Sequence, residues 1–233
     1  MLANLAPMWR RMGSEAVLID VGGNEGNYSV VLRRLCPQAR VVAFEPHPAT
    51  AARLRKRLGE RVEVHALAIG AEPGKATLWD YAKHEGSSHA SLISGVIEQL
   101  HAGSSVGVEV AVTSLDAFCE EHELERIDHL KLDVEGWETL CLRGAKHLIK
   151  QERVGTVQFE FNAMNVMTRT FFHDFVDLLP GFQFYRLLPH GLMDLPVGDI
   201  LRCNLYGIQN ILAVSPRIIA EEPAVWRKRK DVV

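Results

Sequence analysis

The sequence predicts an α/β fold built on a doubly wound, mostly parallel sheet with an antiparallel strand near the C-terminus. Short apolar segments of strand length alternate along the chain with segments whose apolar residues recur at helical spacing. The apolar segments are continuous, which is typical of parallel strands that helices cover on both faces. The first of these segments ends in glycines, where a sheet of this kind binds its ligand.

The first part of the chain gives three strands and two helices. Residues 16–21 are apolar and form the first predicted strand, and residues 28–35 form the helix that follows it. Residues 40–45 and 62–68 repeat the strand pattern. Residues 48–58 are rich in Ala, Leu and Arg and begin with proline, which is favoured in the first turn of a helix.

Residues 70–107 interrupt this alternation with glycines and serines, and a hairpin is predicted around residues 75–81. Residues 85–91 form a polar loop. Such a segment inside an α/β domain is more typical of an active-site wall or lid than of a linker between domains.

The alternation then resumes to the end of the domain. The predicted helices are residues 114–122, 138–149 and 168–179, and the predicted strands are residues 128–133, 154–161, 182–187 and 209–214. We therefore expect an N-terminal extension (1–15), a single catalytic domain (16–215) with the inserted segment 70–107, and a basic C-terminal tail (216–233).

Charge and composition exclude several classes of protein. The chain carries 26 basic and 29 acidic residues, for a net charge of −3, which argues against binding of nucleic acid through a general positive field. No window approaches the ~18 apolar residues that a membrane span requires. The N-terminus lacks the features of a secretory signal, and the four cysteines form no C-x-x-C pair. We predict a cytoplasmic protein without a transmembrane segment.

The loop after the first strand, residues 20–29, reads DVGGNEGNYS. Its glycines allow a sharp turn and close approach to a ligand. It departs from the dinucleotide pattern G-x-G-x-x-G, because Asn24 and Asn27 occupy the second and third glycine positions when Gly22 is the first. The Walker pattern is absent as well. Polar side chains here, with Asp20 leading the loop, suit a ligand with a positively charged amino-acid end.

Two further segments point to a nucleoside. Glu45 ends the second strand, and an acidic residue in that place can accept both hydroxyl protons of a ribose. Pro46 and Pro48 fix the direction in which the chain leaves the strand. Residues 66–70 are small and apolar and could form a flat slot for an adenine ring.

Three carboxylates follow the strand at 128–133, in the segment LKLDVEGWE of residues 130–138. Clustered carboxylates repel one another unless they hold a cation, cap a helix or share a proton. We assign Glu138 to the start of the next helix, which leaves Asp133 as the working group. Glu160 and Asn162, at the end of the neighbouring strand, are expected beside Asp133.

Together these motifs resemble the FkbM-type S-adenosylmethionine-dependent methyltransferases, over about residues 17–214. The resemblance implies a class I methyltransferase (Rossmann-like) fold and methyl transfer, usually to a hydroxyl oxygen. Gly23 stands where the family commonly has alanine. The cofactor site that the resemblance implies consists of Asp20, Gly22, Gly23, Asn24, Gly26, Asn27, Tyr28 and Ser29 around the methionine part, Glu45 and Pro46 at the ribose, Ala68 and Ile69 at the adenine, and Asp133.

The acceptor is less defined by the sequence. The segment from Glu160 and Asn162 to Leu192 is similar to family members linked to polysaccharide clusters, which suggests a sugar or glycan hydroxyl. The alternative acceptor is a small-molecule alcohol of polyketide type. Two other classes of protein also remain open: an NAD-dependent oxidoreductase and a non-catalytic nucleoside-binding protein.

A sugar hydroxyl is a weak acid, so we expect a base to deprotonate it during attack. Asp133 is the first candidate, Glu160 and His89 come next, and His173 is the last. Asp133, Glu160 and Asn162 could instead hold Mg²⁺, which would lower the pKa of the acceptor hydroxyl.

Overall fold

The computed structural model describes residues 2–81, 90–95, 103–223 and 226. Eleven strands lie within these residues. They are β1 (Val17–Val21), β2 (Arg40–Phe44), β3 (Glu63–His65), β4 (Ala68–Ile69), β5 (Gly74–Tyr81), β6 (Ser105–Thr113), β7 (Ile127–Leu132), β8 (Val154–Phe161), β9 (Gln183–Leu188), β10 (Gly191–Leu195) and β11 (Gln209–Val214).

Ten α-helices lie in the same described part of the chain. They are α1 (Leu2–Met12), α2 (Asn27–Leu35), α3 (Pro48–Leu58), α4 (Leu115–Glu121), α5 (Glu138–Arg143), α6 (Lys146–Lys150), α7 (Met164–Met167), α8 (Phe172–Leu178), α9 (Ile200–Cys203) and α10 (Pro216–Glu221). The predicted extension and tail thus contribute α1 and α10. The basic residues 227–230 lie outside the described residues.

The main sheet has eight strands in the order β10-β9-β11-β8-β7-β1-β2-β3. Strands β1, β2, β3, β7 and β8 are parallel, and β11 is antiparallel to both β8 and β9. The predicted fold class, including the antiparallel strand near the C-terminus, is confirmed. The chain first adds β2 and β3 on one side of β1. It then adds β7 and β8 on the other side, so the strand order reverses between β1 and β7. Ligands bind at such a reversal.

Both faces of the main sheet are covered. In β1, Val17, Ile19 and Val21 belong to the apolar core on one face, and Leu18 belongs to the core on the other face. Asp20 follows Leu18 on that second face, because successive side chains of a strand point to opposite sides. It is fully buried.

The predicted third strand is wrong in one respect. Residues 62–68 do not form one strand but divide between β3, which pairs with β2, and β4, which joins a second sheet of order β4-β6-β5. Ala68 leaves the main sheet because it buries against Leu78 and Val110 of the second sheet. The hairpin strand predicted at 75–81 is β5, and its antiparallel partner is β6.

Two predicted helices also differ from the structure. The helix at 138–149 is divided into α5 and α6, since Gly144 approaches Gly70 so closely that a Cβ on Gly144 would lie 2.0 Å from the Gly70 carbonyl oxygen. The helix predicted from residue 168 begins only at Phe172, because Arg169 has the left-handed φ of +54°.

The described chain contains neither a disulfide bond nor a helix that could span a membrane. All four cysteines are buried and free. Within the described ranges, no helix has both the length and the apolar character required to span a bilayer.

Gly22 is the point of closest approach between the loop after β1 and the end of β7. It has φ +84°, and a Cβ added to it would lie 1.8 Å from the Asp133 carbonyl oxygen. Any side chain at position 22 would therefore push the two strand ends apart.

We predict that Gly22→Ala lowers the free energy of unfolding by more than about 1 kcal/mol, because alanine adds left-handed strain and a backbone collision. Chemical denaturation measures the change. The control is Gly191→Ala, since a Cβ at Gly191 meets nothing within 4 Å. Equal stability of the two variants would contradict the close approach.

Candidate active site

A cavity of about 260 Å³ opens at the carboxyl ends of β1, β2, β7 and β8. This is the edge of the sheet at which the strand order reverses. The residues predicted from sequence that line the cavity are Gly22, Asn24, Glu45, Pro46, Ala68, Ile69, Asp133 and Glu160. The cavity therefore joins the glycine loop, the acidic end of β2 and the carboxylates that follow β7.

Three other predicted residues lie beneath the cavity wall. The Asp20 carboxylate accepts a hydrogen bond of 2.7 Å from the Ser29 hydroxyl, and both side chains are buried. The Tyr28 hydroxyl donates to Oε1 of Gln158 at 2.8 Å and lies 2.7 Å from Nε2 of His129. These hydrogen bonds join α2 to β1, β7 and β8 beneath the cavity.

The remaining loop residues contact α3. Asn27 is exposed, and its Oδ1 accepts a hydrogen bond from Nη2 of Arg57. Gly23 and Gly26 are buried, and a Cβ at either one would approach Leu54 to 3.0 Å or less. Both glycines therefore allow the loop to pack against this helix.

Glu45 is held rigidly at the end of β2. It is 7% exposed, and its two oxygens accept different backbone N–H groups, from Asn24 and from His47, each at 2.9 Å. Burial raises the pKa of Glu45, while the two N–H groups act in the opposite direction. Each oxygen retains a lone pair for a second hydrogen bond, so the carboxylate can receive two donors from a ligand.

One wall of the cavity is apolar. Leu67, Ala68 and Ile69 come from the segment after β3, and Leu78 comes from β5. Ala90 and Leu92 complete this wall from the inserted segment 70–107. Ala68 and Ile69 were predicted here from the sequence, and segment 70–107 was predicted to form a wall or lid. Leu78, Ala90 and Leu92 were not identified individually, because only the fold brings them to the main sheet's edge.

The opposite wall carries carboxyl groups. Asp133, Glu135 and Glu160 all line the cavity. Burial and the neighbouring charge of Asp133 raise the pKa of Glu135 to about 8 and raise the pKa of Glu160. Glu135 also has a left-handed φ of +52°, and the Ser91 hydroxyl donates to its carbonyl oxygen. Strained backbone of this kind gathers at functional sites.

Glu138 and Glu160 have different partners. Glu138 begins α5, and its Oε1 accepts the N–H groups of Val134 and Gly136, as expected for a residue at a helix start. The Glu160 carboxylate accepts hydrogen bonds from the side-chain amides of Asn162 and Asn210.

Lys131 is another residue of the site that was not identified from the sequence. Its side chain is 9% exposed, and Nζ lies 2.7 Å from Oδ2 of Asp133 and 3.9 Å from Oδ1 of Asp20. Nζ also lies 4.8 Å from the centroid of the Tyr28 ring, within the range of a cation–π interaction. The available signal was a lysine between Leu130 and Leu132 in a strand expected to be buried, because a buried lysine needs an acidic partner.

Neither candidate histidine is among the residues that line the cavity in the described part of the chain. His89 lies outside the described residues. His173 is exposed on α8 and does not line the cavity. Among the described residues there is no group of three or more His, Cys, Asp or Glu side chains arranged to hold a metal ion.

The cavity can thus accept a ligand with hydrogen-bond donors at one end, an apolar flat part and a positive charge. Glu45 supplies acceptors, the segment 67–69 and Leu78 supply the apolar surface, and the carboxyl wall supplies negative potential.

The chain is similar to several methyltransferases. The chain is 28% identical over 203 residues to the 2-O-methyltransferase NoeI of Sinorhizobium fredii, covering 82% of this chain and 80% of NoeI. It is 30% identical over 152 residues to Methyltransferase 1 of Beauveria bassiana, covering 56% of this chain and 58% of that protein. An O-methyltransferase structure from Bacillus cereus aligns with 92% of the chain and 80% of its own, at 15% identity and a TM-score of 0.47.

The model of the methyltransferase FkbM domain matches residues 20–185, which include the glycine loop, Glu45 and the carboxyl wall. The resemblance predicted from the motifs is confirmed, and the chain belongs to the FkbM methyltransferase family.

Proposed function

We propose that this methyltransferase uses S-adenosylmethionine as methyl donor and transfers the methyl group to a hydroxyl oxygen of a sugar or glycan. The main support for this proposal is the position of the Glu45 carboxylate. Its carboxylate lies at the cavity edge with each oxygen fixed by one backbone N–H, at a place suited to the two hydroxyls of a ribose.

The other cavity residues fit the remaining parts of this cofactor. Gly22 lines the cavity with its backbone, and its missing Cβ leaves room for the Asp133 carbonyl beside it. Ala68 and Ile69 offer a small apolar surface for the adenine ring. Glu160 provides negative charge for the positively charged end of the cofactor, and Asp133 lies on the same wall, where the acceptor would meet the methyl group.

When bound, the cofactor would supply a methyl group that its positive sulfur already activates for transfer. The work of the protein is then to hold the acceptor oxygen in line with that methyl group and to remove its proton. Asp133 would take this proton as the acceptor's O–H bond breaks, its O–CH₃ bond forms and the bond between the methyl group and sulfur breaks, with the electron pair left on sulfur. Its side chain is 37% exposed at the cavity wall, so a hydroxyl can reach it.

A hydroxylated acceptor also suits the residues beside Asp133. Glu160, Asn162 and Asn210 form a hydrogen-bonded group of carboxylate and amide side chains, and such groups both accept from and donate to sugar hydroxyls. The name of NoeI as a 2-O-methyltransferase favours an oxygen acceptor.

The test is an acceptor screen with methyl-labelled S-adenosylmethionine. We expect formation of S-adenosylhomocysteine that depends on a nucleotide sugar or a glycan, with the label found on oxygen. Label on nitrogen or carbon, or turnover only with small non-sugar alcohols, would overturn the proposed acceptor. NADH binding in place of S-adenosylmethionine would overturn the cofactor.

We predict that Glu45→Ala weakens binding of S-adenosylhomocysteine by at least about tenfold, because charge-assisted hydrogen bonds contribute roughly 1.5–3 kcal/mol each. Isothermal titration calorimetry measures the affinity. Glu25→Ala is the control, since Glu25 is an exposed carboxylate of the neighbouring loop that does not line the cavity. Unchanged affinity in folded Glu45→Ala would exclude the ribose role.

Asp133→Asn keeps the shape of the side chain and removes its charge. We predict a loss of roughly 10²–10⁴-fold in kcat, with little change in the dissociation constant of S-adenosylmethionine. Single-turnover kinetics and calorimetry separate the two effects. Turnover at the wild-type rate would mean that the proton goes elsewhere, and Glu160→Gln would then be the variant to measure.

A further inference from the structure

We propose that Lys131 is a built-in cation of the active site, which takes the place of a divalent metal beside Asp133 and positions the carboxylate that receives the acceptor's proton. This inference rests on the proposed function, because it assigns a positioning residue to the same reaction. It concerns a side chain beneath the cavity wall, at a distance from the proposed cofactor contacts of Glu45.

The fold holds the ammonium of Lys131 in one place. Lys131 is the penultimate buried residue of β7, and its Nζ lies between two carboxylates, 2.7 Å from Asp133 and 3.9 Å from Asp20. The face of the Tyr28 ring closes a third side. These partners come from three separate segments, β1, α2 and the loop after β7, so the ammonium is fixed by the fold.

The buried carboxylate of Asp20 requires a positive charge beside it. Asp20 is fully buried, and its Oδ2 accepts the Ser29 hydroxyl, while its Oδ1 has no hydrogen-bond donor among the described residues and faces Nζ of Lys131. A buried carboxylate without a counter-charge is strongly destabilising. Lys131 supplies that charge for Asp20 and for Asp133 together.

The surrounding groups keep the lysine charged. Burial alone would lower the pKa of Lys131, but the charges of Asp20, Asp133 and Glu160 outweigh it and raise this pKa. His129, the neighbouring titratable group on β7, stays neutral, since burial and Lys131 lower its pKa to about 3. Burial raises the pKa of Tyr28 well above its usual value.

This arrangement disfavours the magnesium ion considered from the sequence. A divalent cation held by Asp133 and Glu160 would have to lie beside an ammonium already 2.7 Å from one Asp133 oxygen. Like charges at such separations repel strongly in a partly buried site. The residues therefore fit a protein-supplied cation better than a metal.

The ion pair has a consequence for the reaction. Nζ binds Oδ2 and so fixes the direction of the Asp133 carboxylate, which leaves Oδ1 to take the proton of the acceptor hydroxyl. Loss of the ammonium would free the Asp133 side chain to rotate and would leave the buried Asp20 carboxylate without a counter-charge. The effect should appear in kcat more than in cofactor affinity.

The experiment combines metal removal with variants of Lys131. Wild-type turnover should be equal with EDTA and with added Mg²⁺, and calorimetric titration of the wild type with Mg²⁺ should show no stoichiometric binding. Lys131→Met, which keeps length and removes charge, should lose roughly 10²-fold in kcat, the size of a misplaced reacting group. Its affinity for S-adenosylhomocysteine should stay within a few-fold of the wild type.

Chemical rescue distinguishes positioning from a structural role. Methylammonium should raise kcat of Lys131→Ala, which leaves space for it, and should leave Lys131→Met unchanged. Lys75→Ala removes a lysine with a 71% exposed side chain and should neither lose activity nor respond to the amine.

Four results would overturn the inference. Two concern a metal: loss of wild-type activity in EDTA with recovery in Mg²⁺, and a stoichiometric Mg²⁺ site that Asp133→Asn abolishes. Two concern the lysine: wild-type kcat in Lys131→Met, and failure of amine rescue in a folded Lys131→Ala variant. Failure of the proposed function looks different, since the wild type would then transfer no methyl group to any hydroxyl, and the Mg²⁺ titration would still decide the question of the cation.

Discussion

The register between β1 and β7 is the constraint on which the site depends. Parallel pairing sets Asp20 of β1 directly beside Lys131 of β7, with Val21 beside Leu132. Because side chains alternate along a strand, a slip of one residue would turn Lys131 toward the apolar core on the other face and would leave Asp20 buried without its counter-charge. The Asp20–Lys131 pair thus selects the correct alignment of the two strands that form the reversal point. It also fixes Asp133, two residues beyond Lys131.

From this alignment the rest of the cavity follows. Gly22 can pass over the Asp133 carbonyl only because it lacks a Cβ, and this crossing brings the glycine loop against the carboxyl wall. The N–H of Asn24 then reaches Glu45 at the end of β2. A ligand in this space therefore meets a fixed acceptor pair at one end and the carboxyl wall at the other. This combination suits a methyl donor that has ribose hydroxyls and a positive sulfur.

The sequence was sufficient for the order of elements and for the residues that end the strands. Glu45 and Asp133 were identified because their positions follow directly from strand boundaries. The sequence was not sufficient where distant segments decide the outcome. Residues 62–68 read as one strand, but Ala68, the last of them, pairs with β6, more than 40 residues further on. Asn27 looked like a cofactor residue, yet its side chain contacts Arg57. The role of Lys131 depends on three partners that only the folded sheet brings together.

We propose that the cavity at the reversal point holds the adenosyl part of the methyl donor, and a crystal structure of the chain with S-adenosylhomocysteine would test this. We expect both ribose hydroxyls within hydrogen-bond distance of the Glu45 carboxylate, the adenine against Ala68 and Ile69, and the sulfur on the side of Asp133. A nucleoside bound elsewhere, or one bound in this cavity with its ribose away from Glu45, would contradict it.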